Sequence, residues 1–507
     1  MTRRELLAGT CASFASAWSI GRSAGSRSDL DFSSALDAAA AIKAKSISSV
    51  ELTQRIFDRI DKYNPKLNAF VYQLRDRALA AARKADEAVA RKKELGAFHG
   101  VPFCVKECFA VEGEPDTWGI PALKNSKAPA NSAAVERLLN AGGILTGGTN
   151  VPFELMDWQS YNDIYGTTNN PWDVTRTPGG SSGGSAAALA AGLTYLSVGS
   201  DIGGSLRVPA DFCGIFSHKP TLDLVSTRGM IPGGYPGSKG FSTDLAVAGP
   251  MARSARDLKV ALELLGGPDG YDQSAWSWKL PPPRKRALKD FRVGFVIESQ
   301  LAMPTSDVKP LLEGAVAAVG RSGAKLRMGW PAKYKLEEAI ENYQFLLAAF
   351  TFGTSPKVEQ QQYLQQTPAN TPFGAGYRAS HADWMQQRFR QLSYRAMWQS
   401  YFEQIDVFLM PASFTVAMKH DHSQPMFTRQ IETVDGKRAY YDLLPWMGTA
   451  TLTGCPATVA PIGRTAAGLP VGIQIMGPFW EDATPIEFAE LLAKQLGGFV
   501  PPPGYRE

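Results

Sequence analysis

The sequence predicts an α/β fold, because strand-like and helix-like patterns alternate along the chain. In the first half, YLSVGS at residues 195–200 has the pattern of a short buried strand. In the second half, FRVGFVIES (291–299) predicts a strand, residues 307–320 a helix, and KLRMGW (325–330) another strand. This alternation indicates one sheet that continues through both halves of the chain.

Residues 31–95 are predicted to be mostly helical. Residues 48–51, SSVE, have the sequence of a capping box at a helix N-terminus. An apolar stripe at helical spacing follows it: Leu52, Ile56, Phe57 and Ile60. The run KLNAFVYQ (66–73) predicts a strand, and residues 76–93 predict a second, charged helix.

The C-terminal elements are predicted from turn residues and apolar runs. The proline-rich run at 281–286 marks a surface connection. TLTGCPATVAPI (451–462) and LPVGIQIMG (469–477) predict strands, and residues 484–496 predict a final helix. We therefore expect an N-terminal segment, residues 1–28, followed by a single domain over residues 29–500.

Residues 330–440 are rich in aromatic residues and glutamine and are expected to form helices. We expect this variable region to form one wall of a cleft. Four of its aromatic residues could line that cleft, although core packing is the commoner role for such side chains: Tyr343, Phe345, Phe350 and Trp384.

Composition and charge exclude several classes of protein. Of the 507 residues, 44% are hydrophobic and 20% are charged, which is typical of a globular protein with a large core. The net charge of +5 is too small to favour a nucleic-acid partner. Beyond the N-terminus, no run reaches the ~18 apolar residues that a membrane-spanning helix needs.

The five cysteines predict neither a disulfide nor a metal site. Cys104 and Cys108 are four residues apart in a predicted strand, too far apart for a disulfide bond, so buried free thiols are expected. Zinc bound by these cysteines with His99 or His218 is an alternative that no spacing rule supports.

Residues 1–28 have the pattern of an export signal. Arg3 and Arg4 lie in TRRELL, which is similar to the start of a twin-arginine signal, and a long uncharged run follows. That run suits the hydrophobic region of a signal better than a membrane anchor. Cleavage is expected at the ASA of residues 15–17 or near Ala24. A periplasmic or secreted protein is therefore predicted; the alternative is a disordered tail on a cytoplasmic protein.

The sequence DIGGS, residues 201–205, has the residues that acyl-transfer chemistry needs. Gly203 and Gly204 lack Cβ atoms, so backbone N–H groups there can approach a ligand closely. The N–H groups of Ile202, Gly203, Gly204 and Ser205 could together form an oxyanion hole. Ser205 would then be placed to attack a carbonyl carbon.

Lys106 is the candidate base for this serine, because a serine hydroxyl is a weak nucleophile without one. It follows apolar residues in GVPFCVKE, and burial would lower its pKa towards neutrality. None of the five histidines lies in a G-x-S-x-G elbow: His99, His218, His381, His420 and His422. The alternative interpretation is an edge-strand lysine whose amine reaches solvent.

A second glycine-serine loop, residues 179–184, could supply the serine that passes a proton between Ser205 and Lys106. Such stretches are commonly just flexible loops. A phosphate-binding loop is the disfavoured alternative, because the G-K-[ST] ending is missing. Ser185 is predicted to cap the short helix AAALAAG, which Gly192 would end.

Several motifs occur in the order and spacing of a known family. They are HGVPFCVKE (99–107), TNVPFEL (149–155), TRTPGGSSGGSAAA (175–188), GSDIGGSLRVPA (199–210), FCGIFSHKPT (212–221), GPMARSARDL (249–258) and GLPVGIQIMGP (468–478). On these motifs, residues 30–495 resemble the amidase signature family, in the branch of bacterial amidases and fatty acid amide hydrolase. The resemblance implies a mixed central sheet flanked by helices.

The resemblance also implies a role for each matching residue. The family's Ser-Ser-Lys set falls on Ser205 as nucleophile, on Ser181 as bridging serine, attached through a cis peptide, and on Lys106 as base. Residues implied to support the loops are Ser182, Asp201 and Arg207. Leu155 falls where the family lines its acyl pocket, and Glu107 stands where the family commonly has aspartate.

We therefore expect an amidase that cleaves a C–N bond of a small aryl or alkyl amide through an acyl-enzyme, without a metal or cofactor. Esters and carbamates present the same carbonyl geometry, so they are expected as further substrates. Two alternatives stay open. One is a glutaminase that resembles the A subunit of an amidotransferase and works in a tRNA-dependent complex. The other is a non-catalytic binding protein on the same scaffold. A homodimer also stays open.

Overall fold

The structure is a computed structural model that describes residues 27–231, 244–355 and 357–506. The twin-arginine pair and the expected cleavage sites therefore lie outside the described residues. In the described part of the chain, no helix is long and apolar enough to cross a membrane.

A single large sheet organises the fold. The strands are β1 Phe70–Gln73, β2 Pro102–Lys106, β3 Ile144–Thr149, β4 Tyr161–Asn162, β5 Gly166–Thr167, β6 Leu196–Asp201, β7 Phe216–Lys219, β8 Val247–Ala252, β9 Arg292–Phe295, β10 Lys325–Met328, β11 Val407–Pro411, β12 Gln430–Thr433, β13 Gly436–Ala439, β14 Ala457–Arg464 and β15 Pro470–Met476. Eleven of them form the sheet, in the order β1-β3-β2-β6-β8-β7-β14-β15-β11-β9-β10. The other four form two short antiparallel pairs, β4-β5 and β12-β13.

The sheet is mixed, as the resemblance implies. Strands β3, β2 and β6 run parallel, as do β11, β9 and β10. Between these groups, from β6 through β8, β7, β14 and β15 to β11, each neighbouring pair is antiparallel. Because β2 and β6 are parallel neighbours, their C-terminal ends meet at one edge of the sheet.

Helices cover the sheet. They are α1 Ala35–Lys43, α2 Ser49–Leu67, α3 Arg75–Ala90, α4 Ala133–Asn140, α5 Gly183–Ala190, α6 Arg207–Cys213, α7 Ala255–Leu265, α8 Lys309–Arg321, α9 Leu336–Thr354, α10 Lys357–Gln366, α11 Pro372–Tyr377, α12 His381–Phe402, α13 Leu444–Thr453 and α14 Ala483–Leu496. One core cluster joins the sheet to the first helices and to α7, α8 and α14. A second cluster, rich in aromatic residues, joins α9, α12 and α13.

Several local predictions are confirmed. The capping box at 48–51 starts α2, since the Ser48 side chain accepts from Glu51 N and the Glu51 side chain accepts from Ser48 N. The predicted strand, helix and strand of the second half are β9, α8 and β10. In the variable region, residues 336–402 are mostly helical, as expected, but the expectation of helices was wrong for residues 407–440, which include β11 and the hairpin β12-β13.

Two local predictions were wrong. Ser185 does not cap a helix: α5 begins at Gly183, and the Ser185 hydroxyl lies buried against Thr149 Oγ1 at 2.7 Å and Ser197 Oγ at 2.9 Å. Residues 451–453 are not strand but the end of α13, because the αL residue Gly454 stops that helix and the next strand begins only at Ala457.

Candidate active site

Three chain segments bring the predicted site residues to one edge of the sheet. Lys106 is the last residue of β2, and Asp201 is the last residue of the neighbouring parallel strand β6. The loop at 202–206 follows Asp201 and leads into α6. Ser181 comes just before α5, whose N-terminus lies beside these strand ends because Ser182 N donates to Ser205 O at 3.2 Å.

Lys106 is fully buried and bonded to two hydroxyls. Its Nζ donates to Ser181 Oγ at 2.6 Å and to Ser200 Oγ at 2.9 Å. Burial lowers the pKa of Lys106 to about 8, and the Asp201 carboxylate opposes part of that shift. This amine is therefore about half neutral near pH 8 and mostly protonated at pH 7. The alternative of an edge-strand lysine that reaches solvent is wrong.

The glycines before Ser181 allow a close approach of two loops. The Gly180–Ser181 peptide is cis, as in the family that the sequence resembles. A Cβ on Gly180 would lie 2.4 Å from Asp157 O, and Gly179 has a φ of +87° with a Cβ position 2.8 Å from the Pro209 backbone. Larger residues at these two positions would displace the loop and with it the Ser181 hydroxyl.

The loop at 202–205 is partly accessible. Ile202 and Gly203 are half-buried, and Ser205 keeps 6% of its surface exposed. A Cβ on Gly203 would meet only Tyr343 Oη, at 3.7 Å, whereas Gly204 has a φ of +99° and a Cβ position 2.6 Å from Met447. The Gly204 N–H donates to Asp201 Oδ1 at 3.0 Å, so within the protein this expected oxyanion donor already has an acceptor.

A buried ion pair supports the loop, on residues predicted to do so. Arg207 Nη2 and Nε donate to Asp201 Oδ1 at 2.8 Å and Oδ2 at 3.0 Å, and Leu206 N donates to Oδ2 at 3.1 Å. Burial would raise the pKa of Asp201, but the Arg207 guanidinium holds that pKa below its usual value. The Ser182 hydroxyl donates to Ser200 O at 3.4 Å, which ties the loop at 179–184 to β6.

Sequence reasoning missed three residues at this edge. Ser200, directly before Asp201 in the quoted motif, is the second partner of Lys106. Trp158 Nε1 donates to Gly203 O at 2.8 Å, and no motif pointed to it. Lys219 is a second fully buried lysine, at the end of β7. It lies in the motif FCGIFSHKPT, from which no role for this lysine is predicted.

The aromatic residues considered for the cleft differ in position. Tyr343 is fully buried and its hydroxyl donates to Ile202 O at 2.7 Å, so it packs in the core and also reaches the loop. Phe345 lies in the aromatic core cluster, and Phe350 is half-buried in α9. Trp384 Nε1 donates to Asp244 Oδ2 at 3.1 Å.

Two further predicted residues lie beside these loops. Leu155 is half-buried in a short 3-10 turn after β3, with a φ of +61°; its role in an acyl pocket stays a prediction. The buried Glu107 carboxylate accepts from Thr117 N at 2.8 Å and Trp118 N at 2.9 Å. Burial raises the pKa of Glu107 to about 8.

Cys104 and Cys108 are buried free thiols. His99 Nε2 lies 2.9 Å from Ala85 O, and His218 lies against Thr458 and Asp482. Over residues 27–231, 244–355 and 357–506, no group of three or more histidine, cysteine, aspartate or glutamate residues is arranged to hold a metal ion.

The fold and site define an α/β protein in which a buried lysine contacts two serines beside a glycine-rich loop. Comparison with known proteins identifies the family. The sequence profile of the Amidase family matches residues 51–485. The A subunit of the glutamyl-tRNA(Gln) amidotransferase from Bdellovibrio bacteriovorus is 31% identical in an alignment of 490 positions that covers 90% of this chain and 95% of that protein.

Solved structures agree. One, described as part of a vestigial protein complex that reveals the origins of an s-triazine catabolic enzyme, has a TM-score of 0.78 at 25% identity, over 92% of this chain and 100% of that chain. A bacterial aryl acylamidase of the amidase signature family has a TM-score of 0.77 at 22% identity, over 94% of this chain and 98% of that one; this is a likeness of fold. The chain belongs to the amidase signature family.

Proposed function

We propose that the protein is an amidase that hydrolyses a C–N amide bond with Ser205 as nucleophile, Ser181 as proton relay and Lys106 as base. The observation that carries the proposal is the 2.6 Å hydrogen bond between the buried Lys106 amine and Ser181. Ser182, the next residue, donates its N–H to Ser205 O at 3.2 Å, so this pair lies beside the loop that carries Ser205. Neutral Lys106 can accept a proton, and its pKa of about 8 supports that role.

In the first half of the reaction, Ser205 Oγ adds to the substrate carbonyl carbon while its proton passes to Ser181 Oγ and the Ser181 proton passes to Lys106 Nζ. The carbonyl oxygen becomes negative and binds N–H groups of the loop at 202–204, foremost that of Gly203, because the Gly204 N–H already donates to Asp201 Oδ1. The protons then return along the same path to the amide nitrogen, and the C–N bond breaks. Water repeats the sequence on the acyl-enzyme and releases the acid.

We propose small aryl or alkyl amides as substrates, with esters and carbamates (urethanes) as slower alternatives. The aromatic residues at the loop support this, because the buried side chains of Trp158 and Tyr343 both contact it. A pocket at Leu155 would gain roughly 0.8 kcal/mol per buried methylene. Leu155→Ala should therefore change relative rates among acyl groups, measured as kcat/KM over an anilide series. If the order of kcat/KM values among the anilides is unchanged, Leu155 does not line the acyl pocket.

The nucleophile is tested with Ser205→Ala and a matched control, Ser185→Ala. Ser185 is also a buried serine near the site, but its hydroxyl contacts Thr149 and Ser197. Ser205→Ala should lower kcat by several orders of magnitude and abolish labelling by a fluorophosphonate, whereas Ser185→Ala should retain both. Labelling of another serine while Ser205 is intact would contradict the assignment.

A second candidate function is supported by the curated relative at 31% identity, which is the A subunit of a glutamyl-tRNA(Gln) amidotransferase. In that case the protein would release ammonia from glutamine inside a complex with other subunits and tRNA. Glutaminase activity that is found only together with copurifying subunits would favour this function. Hydrolysis of anilides by the isolated chain, with no activity on glutamine, would exclude it.

We also propose export, on the basis of Arg3, Arg4 and the uncharged run that follows them. Changing both arginines to lysine should leave activity in the cytoplasmic fraction, while the unchanged chain reaches the periplasm or medium. A cytoplasmic location of the unchanged chain with its N-terminus intact would contradict this proposal.

A further inference from the structure

Two side chains from outside the loop hold the carbonyl groups of residues 202 and 203. Tyr343, in α9, donates its hydroxyl to Ile202 O at 2.7 Å, and Trp158, just before β4, donates from Nε1 to Gly203 O at 2.8 Å. Both side chains are buried, and burial raises the pKa of Tyr343, so its hydroxyl keeps the proton that it donates.

A trans peptide is planar, so its carbonyl and its N–H point in opposite directions. The bond from Tyr343 to Ile202 O therefore also sets the direction of the Gly203 N–H. In the same way, the bond from Trp158 to Gly203 O sets the direction of the Gly204 N–H. The Gly204 N–H is held a second time, by Asp201 Oδ1 at 3.0 Å.

The two peptides therefore differ in what they can do. The Gly203–Gly204 peptide is held at both its ends by groups of the protein, Trp158 and Asp201. The Ile202–Gly203 peptide is held at its carbonyl by Tyr343; both of its residues are half-buried, and a Cβ on Gly203 would meet only Tyr343 Oη, at 3.7 Å. Glycine is flexible, so a donor at this position needs an external support if it is to be preorganised.

We infer that Tyr343 is a positioning residue, which aims the Gly203 N–H at the oxygen that becomes negative when Ser205 adds to a carbonyl, and that Trp158 contributes less strongly by holding the adjoining Gly203–Gly204 peptide. This inference rests on the proposed function. It assigns a part in the chemistry to a residue of the variable region, α9, although Tyr343 touches neither the nucleophile nor the base by any hydrogen bond described for it.

Tyr343→Phe tests the inference, with Tyr334→Phe as the matched control. Tyr334 is buried in the same aromatic cluster, but its hydroxyl bonds to Thr449 Oγ1 at 2.8 Å, away from the loop. Complete loss of an oxyanion donor costs about 10²–10³ in kcat. Loss of its support in Tyr343→Phe should lower kcat on 4-nitroacetanilide about tenfold and leave KM within about twofold. Tyr334→Phe should keep the wild-type kcat.

Each kcat is divided by the concentration of active sites, which a fluorophosphonate titrates to completion, so that loss of folded protein does not count. A trifluoromethyl ketone, which forms an oxyanion on the serine, should bind Tyr343→Phe about tenfold more weakly. The pH profile should keep its midpoint, because Lys106 is untouched. If Tyr343→Phe does not fold, Trp158→Phe should still lower the titrated kcat about threefold at constant KM.

The outcomes separate the two proposals. Absence of label on Ser205 of the wild-type protein would overturn the proposed function and this inference with it. A labelled wild-type protein, together with Tyr343→Phe that keeps the wild-type titrated kcat and ketone affinity, would overturn the inference alone. Equal losses of kcat in Tyr343→Phe and Tyr334→Phe would also overturn the inference alone. If Tyr343→Phe does not fold, an unchanged kcat in Trp158→Phe would overturn it.

Discussion

Lys106 and Lys219 lie at the ends of two strands of the same sheet, and both are completely buried. Burial lowers the pKa of each to about 8. Their partners differ: Lys106 Nζ donates to the hydroxyls of Ser181 and Ser200, whereas Lys219 Nζ donates to the carbonyl of Pro220 at 2.9 Å. Since the low pKa is common to both, it cannot by itself identify a base.

The partner of each amine decides what it can do. A hydroxyl can pass a proton on, so Lys106 is connected to a relay, whereas a backbone carbonyl accepts a hydrogen bond and ends the path. Lys219 also lies in the field of Arg207, which lowers its pKa further, and of Asp201, which raises it. We therefore expect Lys106 to act in catalysis and Lys219 to act on stability alone.

The largest effect should separate the two lysines directly. Lys106→Met should lower kcat/KM by about 10²–10⁴-fold, the usual contribution of a general base, because the relay loses its acceptor. Lys219→Met, the matched control, should change kcat/KM by less than about threefold. Initial rates on an anilide, with folding checked by circular dichroism, measure both. Comparable losses of kcat/KM in the two variants would mean that activity depends on a buried cation as such and not on its hydroxyl partners.

The pH dependence of activity should also distinguish Lys106 from Lys219. Only the neutral amine of Lys106 can accept a proton, and its pKa is about 8. Below that pH, kcat/KM should rise about tenfold per pH unit, and above it the rate should level off. Lys219→Met should show the same profile. A rate that is constant between pH 6 and pH 9, or a profile that moves in Lys219→Met, would contradict the assignment of the base.

The two lysines also show which parts of the site can be predicted from the sequence. The loop glycines, Lys106, Ser181 and Ser205 stand in dense local motifs, and the structure brings their segments to one edge of the sheet. Lys219 also stands in such a motif, but its environment depends on the sheet order, which places β8 between β6 and β7. That order comes from long-range pairing, which no local pattern specifies.

Tertiary contacts account for the other omissions. Tyr343 reaches Ile202 from 141 residues away in the sequence, and Trp158 reaches Gly203 from 45 residues away. Their sequence neighbours, MDWQS (156–160) and ENYQF (341–345), carry no pattern that points to these carbonyl groups. The prediction that Ser185 caps a helix was wrong because a serine before an alanine run has the pattern of a cap, whereas Ser185 lies inside α5 and its hydroxyl contacts Thr149 on β3 and Ser197 on β6.

A smaller effect should come from Ser200, the second hydroxyl on Lys106. Ser200→Ala removes one acceptor of the ammonium, and a hydrogen bond of about 1 kcal/mol corresponds to roughly a fivefold lower rate. The same loss disfavours the charged form, so the midpoint of the pH profile should move to lower pH. Ser197→Ala is the control, on the same strand but bonded to Ser185. A midpoint that moves to higher pH would contradict this contact.

The smallest effect on activity, and a clear one on stability, is expected for Lys219→Met. The folded pKa of Lys219 is about 8 against an ordinary 10.5, so between these values the unfolded chain holds a proton that the folded chain has lost. Stability should therefore rise with pH across this window, and the penalty below it is about 3 kcal/mol at 1.36 kcal/mol per unit. Lys219→Met should be more stable than wild type at pH 7, by less than this penalty because the bond to Pro220 is lost. Urea unfolding at pH 7 and pH 10 measures the difference, which should shrink at the higher pH. If the stability advantage of Lys219→Met stays constant or grows with pH, burial does not destabilise the charged form of Lys219.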